Sequence, residues 1–242
     1  MSGLTIATVC ARGGSKGLPR KNQWPFAGKP LIVHSIEQAL ACAGLAGVHV
    51  STDDEEIAAV AAAAGARVPY RRPAELATDE AGKLPAIEHL VRHLEAQGLV
   101  IATVVDLQPT SPLRTPADIE GALAEFTRTG AELVVSVTEP SHNPYYTLVE
   151  AQPDGTLSLS KPAAFARRQD APAVWGLNGA IYVWQRAALG RAAREGFWAV
   201  RSRPFPMPRE RSVDIDDRFD FELAEWLHQR AQRTQAVETQ HD

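Results

Sequence analysis

Two stretches of this 242-residue chain carry side chains suited to holding a polyanion and a hard metal ion. The first reads Ala11-Arg12-Gly13-Gly14-Ser15-Lys16-Gly17-Leu18-Pro19-Arg20-Lys21-Asn22, three glycines and four cations directly after a short apolar run. Glycine lets backbone N–H groups come close to an anion, and Lys and Arg place charge where phosphates concentrate theirs. It is not a Walker loop, because Gly28-Lys29 is followed by Pro30 and lacks the earlier glycine, and no G-x-G-x-x-G occurs. The second stretch is Val213-Asp214-Ile215-Asp216-Asp217. In extended backbone, residues two apart point the same way, so Asp214 and Asp216 present two carboxylates to one point. Mg²⁺ or Mn²⁺ suits that set, with phosphate oxygens completing the shell. One of Asp216 and Asp217 can equally cap the helix that follows.

Two further clusters are weaker alone. Leu107-Gln108-Pro109-Thr110-Ser111-Pro112-Leu113-Arg114 sets polar groups between two prolines just after a strand. Arg167-Arg168-Gln169-Asp170, with Asn178-Gly179-Ala180-Ile181-Tyr182 beyond it, offers an arginine pair able to grip a carboxylate bidentately, or simply to pair with Asp170 at the surface. His89 and His93 sit four apart without the glutamate of H-E-x-x-H, so they read as packing or surface residues and not zinc ligands. No serine lies in a G-x-S-x-G elbow.

These residues need a scaffold, and the hydrophobic pattern supplies one. The β-branched run 4–11 ends at Gly13-Gly14 and reads as a buried strand. Helical spacing over 31–43, a strand at 48–52, a helix opened by Asp53-Asp54 over 55–64 and closed by Gly65, a helix near 84–97, a strand at 101–107, a helix over 116–128 and a strand at 133–137 continue the alternation. This β-α rhythm predicts an α/β fold: a Rossmann-like, doubly wound, mostly parallel sheet in three layers. Ligands in such sheets bind beyond the carboxyl ends of the strands, where the loops above lie. The rhythm fails over 139–177, returns with a strand at 180–184, and closes with a helix after Asp217. The expected organisation is a core over 1–138 and 178–234, an inserted arm over 139–177, and a frayed tail over 235–242.

The formal charge of −4 gives no general reason to expect a nucleic-acid or membrane-surface partner, so an anion must be bound locally. Cys10 and Cys42 lack C-x-x-C spacing and read as buried free thiols. No apolar stretch is long enough to span a bilayer, and residues 1–11 lack the basic region and cleavage site of an export signal, so the expected location is the cytoplasm.

Taken in order, A-R-G-G-S-K-G-L-P-R-K-N at 11–22, S-T-D-D at 51–54, R-P-A-E-L-A at 72–77, L-Q-P-T-S-P-L-R at 107–114, N-G-A-I-Y at 178–182 and D-I-D at 214–216 resemble the acylneuraminate cytidylyltransferases, the CMP-sialic acid synthetases. The resemblance implies a nucleotidyltransferase core with a dimerisation arm, here 139–177, and a homodimer. It implies that Arg12, Gly13, Ser15, Lys16, Lys21 and Asn22 contact CTP, with Lys16 and Arg12 acting on the phosphates and Arg72 lying near the base. Gln108 and Ser111 would line the site, Arg168 would meet the carboxylate of an acidic nine-carbon sugar, and Asn178, Gly179 and Tyr182 would contact that sugar. Asp214 and Asp216 would hold Mg²⁺ or Mn²⁺.

Gly176, Tyr146 and Lys83 depart from the sialate pattern, standing where a second arginine, a lysine and a small hydroxyl residue are expected. R-R-Q-D-A-P at 167–172 with I-Y-V-W at 181–184 looks closer to relatives acting on bacterial nonulosonates such as legionaminic acid. The implied reaction is attack of the sugar's anomeric hydroxyl on the α-phosphorus of CTP, with pyrophosphate leaving. Two rivals share the fold: a cytidylyltransferase for the eight-carbon sugar Kdo, whose first loop has a different pattern, and a catalytically silent nucleotide-binding relative.

Overall fold

The opening apolar run forms β1 (Leu4–Cys10), whose inner residues Ile6, Ala7 and Val9 are fully buried. In the computed structural model, which describes residues 3–14, 18–78, 80–162, 165 and 167–238, β1 lies inside a six-stranded sheet. After a 3-10 turn (Lys21–Gln23), β2 (Pro25–Phe26) and β3 (Lys29–Pro30) form a small hairpin that delivers α1 (Leu31–Leu40). Next come β4 (Val48–Ser51), α2 (Glu55–Ala63), α3 (Lys83–Ala96), β5 (Ile101–Leu107), α4 (Pro116–Thr129) and β6 (Leu133–Thr138). The hairpin β7 (Val149–Ala151) and β8 (Leu157–Leu159) lies in the segment where the rhythm fails. The chain closes with β9 (Gly176–Gln185), α5 (Arg186–Glu195), β10 (Ser202–Pro206) and α6 (Arg218–Glu238).

The sheet order is β10-β6-β9-β5-β1-β4. β1, β4 and β5 run parallel, as do β6 and β10, while β9 is antiparallel to both β5 and β6. Period-two alternation sends side chains to both faces. Ile181 and Val183 of β9 join the core under α1, α2 and α4, and Trp184 joins the core under α3 and α5. The result is the expected three-layer, mostly parallel α/β architecture.

Two elements escape the periodicity. β10 carries Pro204 and Pro206, which remove ladder donors and are tolerated because β10 is an edge strand. α5 is rich in Arg and Ala, so its apolar stripe is thin, although Ala188, Leu189 and Ala192 are buried. At the other end, α6 runs to Glu238, so 235–238 are helical, and 239–242 lie outside the described residues.

Local chemistry fixes where helices start near the site. Asp54 caps α2, accepting from the N–H groups of Glu56 and Ile57, both at 2.9 Å. Thr115 and Asp118 form a capping box on α4, with Pro116 behind the cap and Gly130 closing the helix at φ 60°. Asp118 also receives Arg211 in a bidentate pair at 2.9 and 2.8 Å. Burial opposes ionisation of Asp118, but the bonds from Arg211 and Thr115 prevail and hold its pKa below the ordinary value.

Asp118→Ala removes the returning half of the capping box and strands a partly covered arginine, so unfolding free energy should fall by about 2–3 kcal/mol in urea titrations. The pH dependence follows from the depressed folded-state pKa: this stabilisation is complete above the ordinary Asp range and is lost as pH falls through the lowered value. The gap between wild type and Asp118→Ala should therefore narrow in acid; a constant gap would contradict the assignment.

Candidate active site

The carboxyl ends of β1 and β5, the start of α3 and the segment before α6 converge on one cavity of about 530 Å³. Arg12, Lys21, Asn22, Arg72, Gln108 and Asp216 line it, so six of the residues singled out by motif come together. Ser15 and Lys16 lie outside the described residues.

The loop after β1 is tied down by the acidic turn after β4. Gly13 N donates to Asp53 Oδ1 at 3.2 Å. A Cβ on Gly13 would stand 2.7 Å from Asp54 Oδ2, so only glycine fits there without displacing that side chain. Asn22 is 5 % exposed and donates to Arg12 O at 3.2 Å, while its buried Oδ1 has no partner. Arg12 Nη1 donates to Thr78 O at 2.9 Å. Arg72 lines the cavity with its guanidinium turned inward, onto Ser51 Oγ at 3.0 Å and the carbonyls of Ala11 and Ser51. It stitches β1 to β4.

The acidic segment shows the alternation its sequence implies. Ile215 is fully buried against Leu18, Phe26, Leu31 and Ala224, and its N–H donates to Thr110 O at 2.9 Å. Asp214 and Asp216 therefore point away from that core. Burial, and secondarily the charge of Asp216, raise the pKa of Asp214, opposed by a hydrogen bond from Thr110. Its Oδ1 is buried without a partner. Asp216 is 78 % exposed and takes Lys21 Nζ at 2.9 Å. Between Asp216 and Asp217, the cap belongs to Asp217. Its Oδ1 accepts from Asp220 N at 2.9 Å, while Asp220 Oδ2 accepts from the N–H groups of Asp216 and Asp217 at 3.0 and 3.2 Å.

No group of three or more His, Cys, Asp or Glu side chains able to hold a metal occurs among the described residues. The donors present nevertheless fit a hard cation. An orphaned carboxylate oxygen on Asp214 and an exposed carboxylate on Asp216 match an ion that takes two carboxylates and draws its remaining oxygens from phosphate and water.

The residues expected to meet a sugar are placed differently. Asn178 is 4 % exposed and spent on structure: Oδ1 accepts from Ser136 Oγ at 2.6 Å and Nδ2 donates to Ser212 Oγ at 2.9 Å. This knot accompanies the register shift between Val135 and Val137. Gly179, at φ 72°, lets Gln108 and Asp214 close in, since a Cβ there would lie 2.6 Å from Gln108 Nε2 and 2.9 Å from Asp214 Oδ2. Tyr182 is held by the Gln108 side chain, and its hydroxyl pKa is pushed up to about 12 by burial and by Asp106. Ser111 is wholly enclosed. Of the arginine pair, Arg167 forks onto Asp170 at 2.8 and 3.0 Å. Arg168 begins the adjoining 3-10 turn (Arg168–Asp170), and its side chain lies outside the described residues.

A polar row beneath the cavity was not anticipated. Thr8, Asp106 and Tyr182 are register neighbours across β1, β5 and β9. Thr8 Oγ1 donates to Asp106 Oδ1 at 3.1 Å. Lys83, at the start of α3, places Nζ 2.5 Å from Asp106 Oδ2 and 5.3 Å from the Tyr182 ring centroid. The contact is one of charge, since neither atom finds an aligned hydrogen bond. The signal lay in Ile101–Leu107, an apolar strand with an aspartate in its interior, which demands a partner. Cys10, half-buried, also lines the cavity; burial and Asp106 push its thiol up to about 11. His89 and His93 pack against Tyr70, at 4.9 and 4.7 Å between ring centres.

Comparison with known proteins gives the family of the chain and the likeness of its fold. "Post-translational flagellin modification protein B" of Campylobacter coli is 34 % identical over 223 residues, covering 92 % of this chain and 94 % of its own. "CMP-N,N'-diacetyllegionaminic acid synthase" of Campylobacter jejuni shows the same identity and coverage, again 34 %, 92 % and 94 %. The solved structure of CMP:2-keto-3-deoxy-manno-octonic acid synthetase complexed with CTP superposes with a TM-score of 0.73, covering 94 % of this chain and 99 % of that one at 20 % identity, a likeness of fold. The cytidylyltransferase family model matches residues 6–231, nearly the whole folded core, and the chain belongs to the cytidylyltransferase family.

Proposed function

We propose that the protein transfers CMP from CTP to the anomeric hydroxyl of a nine-carbon 2-keto acid sugar, of the legionaminic or sialic type, releasing pyrophosphate. The observation that carries this reading is the meeting of Arg12 and Lys21, from the loop after β1, with Asp216 at one cavity by the carboxyl ends of β1 and β5. The identity to a legionaminic acid synthase over 92 % of the chain supports the sugar class. The Kdo reading has only a likeness of fold at 20 % identity behind it.

In this reading the triphosphate enters against Arg12 and Lys21, with Ser15 and Lys16 of the same loop beside it, and Asn22 keeps the loop's backbone in place. Asp214 and Asp216 hold Mg²⁺ or Mn²⁺, which when bound offsets charge growing on the phosphate oxygens. Gln108 and Tyr182, joined to each other, form the wall toward the sugar, and Arg168 takes its carboxylate. Asn178 and Gly179 act at one remove: the first fixes β9, the second admits Gln108 and Asp214. We propose a homodimer built on the arm 139–177, where Val149, Leu157, Trp175 and Leu177 are exposed. We propose a cytoplasmic location; among the described residues no helix is long and apolar enough to cross a membrane.

Pyrophosphate release measured with CTP over a panel of legionaminic, sialic, pseudaminic and Kdo acids tests the function, with turnover expected on the first or second; turnover confined to Kdo, or none on any sugar, overturns it. Asp216→Asn should lower kcat roughly a thousandfold, about 4 kcal/mol of transition-state stabilisation. Because that side chain is 78 % exposed, the urea midpoint should stay put, and near wild-type turnover would remove Asp216 from the site. Arg168→Ala should raise KM for the sugar, by on the order of 2–5 kcal/mol if the pair is desolvated, with little change for CTP. Arg168→Lys keeps the charge, loses the fork, and should recover only part. Equal loss for both substrates would move Arg168 to the triphosphate.

A further inference from the structure

Lys21 opens the 3-10 turn after β1, and its ammonium is already engaged. Nζ donates to Ile215 O at 2.7 Å and to Asp216 Oδ1 at 2.9 Å. Lys21 is well covered, 15 % of its side chain exposed, whereas its carboxylate partner is 78 % exposed and both line the same cavity. Asp214, two residues away on the same side of the segment, keeps a buried oxygen without a partner. One carboxylate of the pair is thus neutralised from within the chain, and the other is left waiting.

We propose that Lys21 is a stand-in cation for Asp216. It holds the acid pair against a divalent ion until the phosphates of an incoming nucleotide draw the ammonium away, so that metal and triphosphate are taken up together. This rests on the reading of Asp214 and Asp216 as metal ligands. The physical argument is one of competition. A divalent ion approaching Asp216 meets the Lys21 ammonium within a few ångströms, and it finds that carboxylate's charge already offset. The existing pair is easily exchanged, because an ammonium on an exposed carboxylate is weakly held. A triphosphate offers more charge than one carboxylate, and a lysine ammonium has three donors on a flexible stem to turn toward it. The bond to Ile215 O keeps the lysine in place during that change of partner.

The test measures Mn²⁺ binding by electron paramagnetic resonance, with no turnover required. Without nucleotide, Lys21→Met should bind Mn²⁺ about tenfold more tightly than wild type at low ionic strength. The gain should shrink in high salt, as an exposed pair is screened, and vanish in Lys21→Met/Asp216→Asn. Adding a non-hydrolysable CTP analogue should sharpen Mn²⁺ binding more in wild type than in Lys21→Met. Lys21→Gln, closer in polarity, serves where Met lowers the folded fraction in urea. Equal Mn²⁺ affinity in wild type and both Lys21 variants, with Asp216→Asn still weakening Mn²⁺ in the analogue complex, overturns the inference and leaves the metal ligands standing. If Asp216→Asn changes Mn²⁺ binding neither with the analogue nor without it, the metal reading fails, and the inference with it.

Discussion

Ile215 is driven completely out of water into a small core made by Leu18, Phe26, Leu31 and Ala224, worth about 2–3 kcal/mol for a side chain of its size. Its amide is fixed at the same time by Thr110 O. In extended backbone these two anchors leave no freedom about where its neighbours point, so burying one apolar side chain aims Asp214 and Asp216 at the opposite side. The same core holds the hairpin β2–β3 and the start of α1, which follow directly on the glycine loop. The acidic and cationic halves of the site are therefore brought to a common place by one packing event, although some two hundred residues of chain separate them.

Polar staples hold the remaining loops at fixed distances. Arg114 is 1 % exposed, with its guanidinium on the carbonyls of Gln108 and Ala180 at 2.8 and 3.0 Å and on Ser35 Oγ. Burial lowers its pKa to about 9, against the pull of Asp106, Asp118 and Asp214, so it remains a cation near neutral pH. A charge so deeply enclosed is tolerated only because carbonyl oxygens replace its water. Asn178, Ser136 and Ser212 do the equivalent without charge, joining β6, β9 and the segment ahead of Asp214. Each staple ends on the backbone or on a neutral group, so it constrains geometry without consuming the acid pair.

What the sequence disclosed and what it hid divide along physical lines. Strands buried on both faces, such as β1 and β5, announce themselves by continuous apolar runs, and α2 announces itself by its acidic start at Asp53-Asp54 and its glycine stop at Gly65. β10 was hidden because an edge strand can accept prolines, and α5 because alanine and arginine make a poor stripe. Arg12, Lys21, Asn22 and Asp216, grouped by motif, line one cavity, since a loop after a parallel strand has few places to go. Motif could not say that Arg72 and Asn178 would spend their polar groups on the scaffold, because that depends on which carbonyls a neighbouring strand leaves open. Lys83 illustrates the converse. Seen in sequence it is only an unexpected residue, and its reason becomes visible when Asp106 is found beneath it.

An acidic chain that gathers cations must also keep them from being a cost, and the cavity does so in graded fashion. Arg72 is bound into carbonyls and a hydroxyl at the ends of β1 and β4, so moving it would open two strands. Lys83 faces an aspartate that is 1 % exposed, and withdrawing it would leave a bare charge in the interior. Lys21 faces an aspartate in water, which loses little when its partner leaves. The depth of the partner thus ranks these cations from fixed to exchangeable. The two fixed ones hold the ends of the strands in place, and the exchangeable one stands against the acid pair.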